Sequence, residues 1–321
     1  MLRRILAFVL CLALCVPFCG CNKETVKESG ESSVKEEASY APPVMTTIMP
    51  DGNSDILLPD MIDESFTAAF RETLDNAPYA CALYYVDLET GLSITYNPDR
   101  MFAGASLIKA EYLMMIFEMI ENGQVSYDNM YTYTAGNKKG GTTKIPYDYE
   151  FGDKLSLKEI IEYVVWHSDN TGYNMLQVYV RSYWDIMDWA DKRYGTKFEY
   201  EGCNWLNARG VAECWKEIYD RYKNGDENYQ WYVSLLLEAN ENKFIKGGLP
   251  KGADGESMYE VAHKYGMDIN ASNDAAIVFY EDRPYFLTIL TDYIGINTQS
   301  FMNEVSSEVF AMHEKICSYN E

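Results

Sequence analysis

Residues 80–88 and 92–96 are dense in Tyr, Val, Leu and Ile, and Glu89-Thr90-Gly91 lies between them. That pattern predicts two strands joined as a hairpin. Before it, residues 63–76 place Phe66, Ala69, Phe70 and Leu74 on one helical face. Residues 106–122, rich in Leu, Ile, Met and Glu and stopped by Gly123, read as a second helix. A loop-rich stretch punctuated by Gly140-Gly141 and Gly152 follows. Ser156-Leu157-Lys158-Glu159 then matches a capping box that opens a helix to about His167. Helical spacing continues over residues 171–180, 182–194, 209–223 and 228–239. Three strand-like runs, 258–264, 275–280 and 285–292, precede a last helix at 298–317. Two strands, many helices, three strands and a helix predict an α+β fold. One five-stranded, mostly antiparallel sheet is built from both ends of the chain and carries terminal helices. The middle helices form a separate lobe, with a cleft between lobe and sheet.

The start of the chain has a different pattern. Arg3 and Arg4 precede an apolar run over residues 5–18, too short to span a bilayer and typical of a secretory leader. The run closes with Phe18-Cys19-Gly20-Cys21, which resembles the lipobox of bacterial lipoproteins, so Cys21 is the expected lipidation site. Residues 1–20 are then a signal peptide. The following stretch, 21–60, is rich in Lys, Glu, Ser, Thr and Pro and poor in aromatics, and reads as a flexible tether. Such a chain has a typical reach of about 35 Å. The expected location is the outer face of the bacterial cytoplasmic membrane, reached through the lipid on Cys21, with residues 61–321 forming the folded domain.

Composition narrows the partners. A net charge of −22 repels phosphate backbones and excludes nucleic acid as a natural partner, while a 47% hydrophobic share supports a real core. Of eight cysteines, Cys81, Cys203, Cys214 and Cys317 fall in the folded part, where disulfides and free thiols are both open. No C-x-x-C pair is present and His167, His263 and His313 are scattered, so neither a metal nor a cofactor is expected. The domain is expected to act as a monomer.

Three short strings carry candidate chemistry. In Ser106-Leu107-Ile108-Lys109 the amine lies one helical turn from the hydroxyl and can reach it. A lysine among Ile108, Leu113 and Met114 is partly desolvated, which lowers its pKa and fits it to act as a base. Ser168-Asp169-Asn170 follows a helix that stops abruptly, so a short loop can present a hydroxyl and an amide. Lys264-Tyr265-Gly266 ends a strand, offering a cation to an anionic group and a glycine that lets backbone approach a ligand. Each string also has an ordinary structural role, as a helix cap, a turn and an edge-strand lysine.

Together, in this order, the strings resemble the S-x-x-K, S-D-N and K-T-G elements of the class A β-lactamase-like, penicillin-recognising serine hydrolases. The stretches YVVWHSDNTGYNML (163–176) and NDAAIVFYEDRPYFLTILTD (273–292) look like the same family. The resemblance implies a β-lactamase/DD-peptidase-like fold. It implies Ser106 as nucleophile and Lys109 as its base, with Ser168 and Lys264 shuttling the proton. Asn170, Tyr265, Gly266, Met267 and Asn207 fall at substrate-binding positions, the N–H groups of Ser106 and Met267 forming the oxyanion hole. The implied ligand is a β-lactam or a D-alanyl stem peptide of peptidoglycan.

Two departures stand out. Counting back from Leu206-Asn207 places Cys203 where an E-x-x-L-N-like loop carries its water-activating glutamate, and Glu201, the candidate deacylation base, is two residues early. Tyr265 replaces the usual short hydroxyl, so the substrate carboxylate contact must be remade or lost. A catalytically impaired lipoprotein that binds penicillin or wall peptides, or a DD-peptidase-like enzyme, is the alternative. A Ser-His-Asp hydrolase using His263 or His167 is a third reading. It lacks a nucleophile elbow, since Gly104-Ala105-Ser106-Leu107-Ile108 has no second glycine.

Overall fold

The computed structural model describes residues 45–48, 71–196, 198–200, 203–239 and 243–318. Its strands, in chain order, are β1 (Met45–Ile48), β2 (Cys81–Asp87), β3 (Ser93–Tyr96), β4 (Phe102–Ala103), β5 (Met130–Thr132) and β6 (Lys154–Ser156). They continue with β7 (Glu199–Tyr200), β8 (Asn204–Leu206), β9 (Glu260–Asp268), β10 (Ala271–Phe279) and β11 (Tyr285–Thr291). The main sheet runs β1-β3-β2-β11-β10-β9, and each neighbouring pair is antiparallel. Five of these strands were expected. The sixth, β1, falls inside the stretch read as a tether and pairs Met45 with Tyr96 and Ile48 with Ser93.

Both faces of the sheet are covered, which explains why β2 and β11 are apolar almost throughout and buried at every position. One face packs on the helical lobe, where Leu113, Ile116, Val164, Trp215 and Tyr232 meet Ala262, Ala275, Ile277 and Phe286 of the strands. The other carries the terminal helix Ile296–Ser318, whose Met302, Val305, Val309 and Met312 cover Leu83, Tyr85, Ala276 and Leu287. The first expected helix is described only over its last turn, residues 71–75.

Boundaries shifted where polar side chains are buried. The last sheet strands were expected at 258–264 and 275–280, yet β9 and β10 reach Asp268 and begin at Ala271. The polar run Ser272-Asn273-Asp274 is buried, and the side chains of Asn273 and Asp274 are hydrogen-bonded inside the protein. Asn273 donates to the Ala103 carbonyl at 2.7 Å and accepts the Thr291 N–H at 3.0 Å. Pattern alone reads such residues as loop, because the bonds that license their burial come from remote segments. Lys264-Tyr265-Gly266 therefore lies within a strand rather than at its end. Cys81, Cys203, Cys214 and Cys317 are free thiols.

Candidate active site

The nucleophile candidate sits on a single 3₁₀ turn, Ala105–Leu107, ahead of the helix Ile108–Glu121, rather than on the helix expected from residue 106. Ala105 adopts a left-handed φ of 48°, which costs an alanine of order 1–2 kcal/mol. The Asn204 side chain holds this turn by donating to the Ala105 carbonyl at 2.9 Å, and Gly104 N–H donates to the Asn204 carbonyl at 2.8 Å. Asn204, two residues before the Leu206-Asn207 pair, was not anticipated as part of the site.

Lys109 lies one turn on and is 2% exposed. Its Nζ donates to Ser106 Oγ at 3.0 Å, to the Ser168 carbonyl at 2.6 Å and to Asn170 Oδ1 at 2.7 Å. All three acceptors are neutral. Burial, and then the nearby Lys264 ammonium, hold the Lys109 pKa well below the usual lysine value, against the weaker opposing pull of Asp169. The result is an amine able to accept the hydroxyl proton.

Ser168 stands between two helices, Leu157–Trp166 and Asn170–Tyr179, with a left-handed φ of 49°. Asp169 caps the second helix and fixes the loop. Its carboxylate accepts Gly172 N–H at 2.7 Å, Thr143 Oγ1 at 3.0 Å, Ile145 N–H at 2.9 Å and Lys144 N–H. The Ser168 hydroxyl accepts from Lys264 Nζ at 3.0 Å and lies 3.4 Å from Lys109 Nζ, so it bridges the two amines. Asn170 Nδ2 donates to the Gly140 carbonyl at 3.0 Å, tying Lys109 to the glycine loop. A Cβ on Gly141 would stand 2.9 Å from that nitrogen.

Ser106, Lys109, Ser168, Asn170 and Lys264 thus converge from three segments. Three other sequence-derived positions have different work. Gly266 faces the protein rather than a ligand: a Cβ there would lie 2.6 Å from Leu107 N, 2.7 Å from Gly104 O and 2.8 Å from Ser106 N. Its missing side chain lets β9 press against the nucleophile turn, bringing exposed Met267, the next residue, beside it. Asn207 is not in the site. It caps the helix Ala208–Lys223 through Gly210 N–H at 2.7 Å, and its Nδ2 points to Met101 Sδ at 3.6 Å, so its amide is consumed by helix initiation. The Tyr265 ring packs on Phe244, at 5.6 Å between centroids, with Lys264 Nζ 5.0 Å from its centroid.

Cys203 is half-buried at the start of β8, and Glu199 on β7 is exposed. Glu201 and Cys21 lie outside the described residues. Among the described residues, no three His, Cys, Asp or Glu side chains are arranged to hold a metal. Ser106 Oγ has Lys109, not a histidine, as its basic neighbour, which removes the Ser-His-Asp reading.

A family model described as the beta-lactamase enzyme family matches residues 65–312. The chain belongs to the β-lactamase enzyme family. Among solved structures, PBP-A aligns with a TM-score of 0.70 at 19% identity, covering 78% of this chain and 97% of that one. A point mutant of PBP-A, in acyl-enzyme complex with penicillin G, aligns at 0.70 and 20%, covering 78% and 97%. A β-lactamase from Chitinophaga pinensis aligns at 0.69 and 20%, covering 79% and 99%. At such identities the likeness shows a shared β-lactamase-like fold, with the five converging residues in the cleft between sheet and helical lobe.

Proposed function

We propose that this β-lactamase-family protein is a serine hydrolase acylated at Ser106 by β-lactams or D-alanyl peptides. The supporting observation is the Lys109 amine, buried among neutral acceptors 3.0 Å from Ser106 Oγ. In this reading Lys109 takes the hydroxyl proton as Ser106 Oγ attacks the substrate carbonyl. The carbonyl oxygen takes up charge against the N–H groups of Ser106 and Met267. As the tetrahedral intermediate collapses, the carbonyl–nitrogen bond breaks and the leaving nitrogen receives a proton through Ser168, whose hydroxyl is fed by Lys264. An ester on Ser106 remains.

Hydrolysis of that ester needs an activated water. With Cys203 at the position of the expected glutamate, deacylation is the slow step, and the protein behaves more as a penicillin acceptor than as a resistance-level lactamase. Capture of a PBP-A mutant as a penicillin G acyl-enzyme makes penicillin G the natural probe. Intact-mass spectra over time after penicillin G exposure should show a persistent adduct that is absent in Ser106→Ala. Equal masses for the two proteins would refute acylation, and an adduct lost within seconds would refute slow deacylation.

Export and anchoring are part of the same proposal. A lipid on Cys21 would hold the site at the outer face of the cytoplasmic membrane, where stem peptides are found. Metabolic labelling with an alkynyl fatty acid tests it, and label persisting in Cys21→Ser would contradict it.

A further inference from the structure

The cleft wall beside Ser168 continues outward as a run of aromatic rings. A cavity of about 270 Å³ there has Thr142, Lys144, Trp166 and His167 in its wall. Trp166 is 38% exposed, on the last turn of the helix that leads to Ser168. The His167 ring meets Tyr163 edge-on at 5.5 Å between centroids, and Tyr163 meets Tyr149 in the same way at 5.8 Å. Tyr163 OH donates to Asp148 Oδ2 at 2.8 Å, which ties the short helix Ile145–Asp148 to this rim. That helix carries Tyr147, 81% exposed, more than any other large apolar side chain among the described residues. A ring so exposed buries little area and adds little to the fold.

A rim of rings interleaved with polar groups, here Thr142, His167 and the Lys144–Asp148 pair, suits a sugar. The C–H bonds of a β-linked hexopyranose are weakly positive and pack on the negative face of an aromatic ring. Its hydroxyl and acetamido groups take the polar neighbours. Charge disfavours other occupants: a chain of net charge −22 repels anionic lipid and polyanionic wall polymers, whereas acetylated amino sugars are close to neutral. Topology agrees. The chain before Met45 enters at β1, one edge of the sheet, while the nucleophile turn lies against β9, the other edge. The six-strand order puts roughly 24 Å between those edges. Anchoring through the first edge leaves the cleft and its rim at the second.

We infer that the rim formed by Tyr147, Tyr149, Tyr163 and Trp166 binds the glycan backbone to which a stem peptide is attached. This rests on the D-alanyl peptide reading above and names its substrate as wall-linked peptide rather than free peptide.

The first arm of the test does not involve Ser106. Chitotetraose, a neutral β-1,4-linked tetramer of N-acetylglucosamine, should bind the full chain in an NMR titration. Binding should weaken about 3–10-fold in Tyr147→Ala and in Trp166→Ala, with thermal melting showing that both fold, while Tyr147→Phe, which keeps the ring, binds as wild type. No binding by wild type, or unchanged affinity in both alanine variants, overturns the inference. Binding to phosphatidylglycerol vesicles that the same variants lose, with none to the sugar, would assign the rim to a membrane and also overturns it. The second arm compares a disaccharide-pentapeptide ending in D-Ala-D-Ala with the same pentapeptide lacking its sugars. The sugar-bearing donor should reach half-maximal acylation rate at a concentration about tenfold lower in wild type, and the two should converge in the double alanine variant. Equal values in wild type overturn the inference. If neither donor nor penicillin G labels Ser106, the acylation reading fails on its own, and chitotetraose still decides whether the rim binds glycan.

Discussion

The two faces of the sheet each bury a cation, and they treat it in opposite ways. On the face covered by the terminal helix, Arg283 donates to the buried Asp87 carboxylate at 2.7 Å, so charge meets charge. Close by, His313 has both ring nitrogens occupied, by Tyr85 OH at 2.7 Å and by the Arg283 carbonyl at 2.8 Å. On the cleft face Lys109 finds neutral oxygens only. Glu111, two residues beyond Lys109, offers no counter-charge, since burial pushes its carboxyl up to about 8 and keeps it protonated at neutral pH. A satisfied cluster stabilises and stays inert. An unsatisfied one costs stability and keeps its reactivity.

The largest test of this contrast is Lys109→Met. Removing the base should slow Ser106 acylation about 10²–10⁴-fold, read by mass spectrometry, while thermal stability holds or rises because a poorly compensated buried amine is gone. Its counterpart on the other face is Asp87→Ala, which strands Arg283. It should cost about 3–5 kcal/mol in chemical denaturation and leave the acylation rate of the folded protein unchanged.

A smaller effect comes from His313, whose pKa burial lowers from 6.5 to about 4. Between these values the unfolded chain binds a proton that the folded protein refuses. The stabilisation is complete above about pH 6.5 and is lost as pH falls toward 4, by about 3 kcal/mol at roughly 1.4 kcal/mol per pH unit. Subtracting the denaturation curves of His313→Phe from wild type across that window should reveal this slope. A flat difference would remove His313 as its source. Last, Gly266→Ala should cost about 1–3 kcal/mol through overpacking against the nucleophile turn. It should also slow acylation about 10²-fold, because that turn must move. Unchanged acylation would show that β9 does not position Ser106.

How far the site could be read in advance depended on whether its parts are neighbours in the chain. Ser106 with Lys109, and Ser168 with Asn170, are local pairs, so spacing alone suggested their meeting. Asn204 acts on Ala105 across ninety-nine positions, and its role was invisible until β8 lay beside the nucleophile turn. Asn207 was misplaced because an asparagine before a helix and an asparagine in a substrate loop look alike in sequence. Gly266 was seen as important for the wrong contact: what approaches closely is Ser106's own backbone, not a ligand. His263 was weighed as a base toward Ser106, whereas pairing of β9 with β10 buries it against Asp274 instead.

By itself the sequence determined the element order, the α+β class and the three polar strings, because periodicity and i, i+3 spacing are local properties of the chain. Tertiary structure decided that Lys109 is buried among neutral acceptors, that Ser168 bridges two amines, and that His263 is buried against Asp274. Those facts depend on which remote groups desolvate or satisfy a side chain, and only folding brings such groups together.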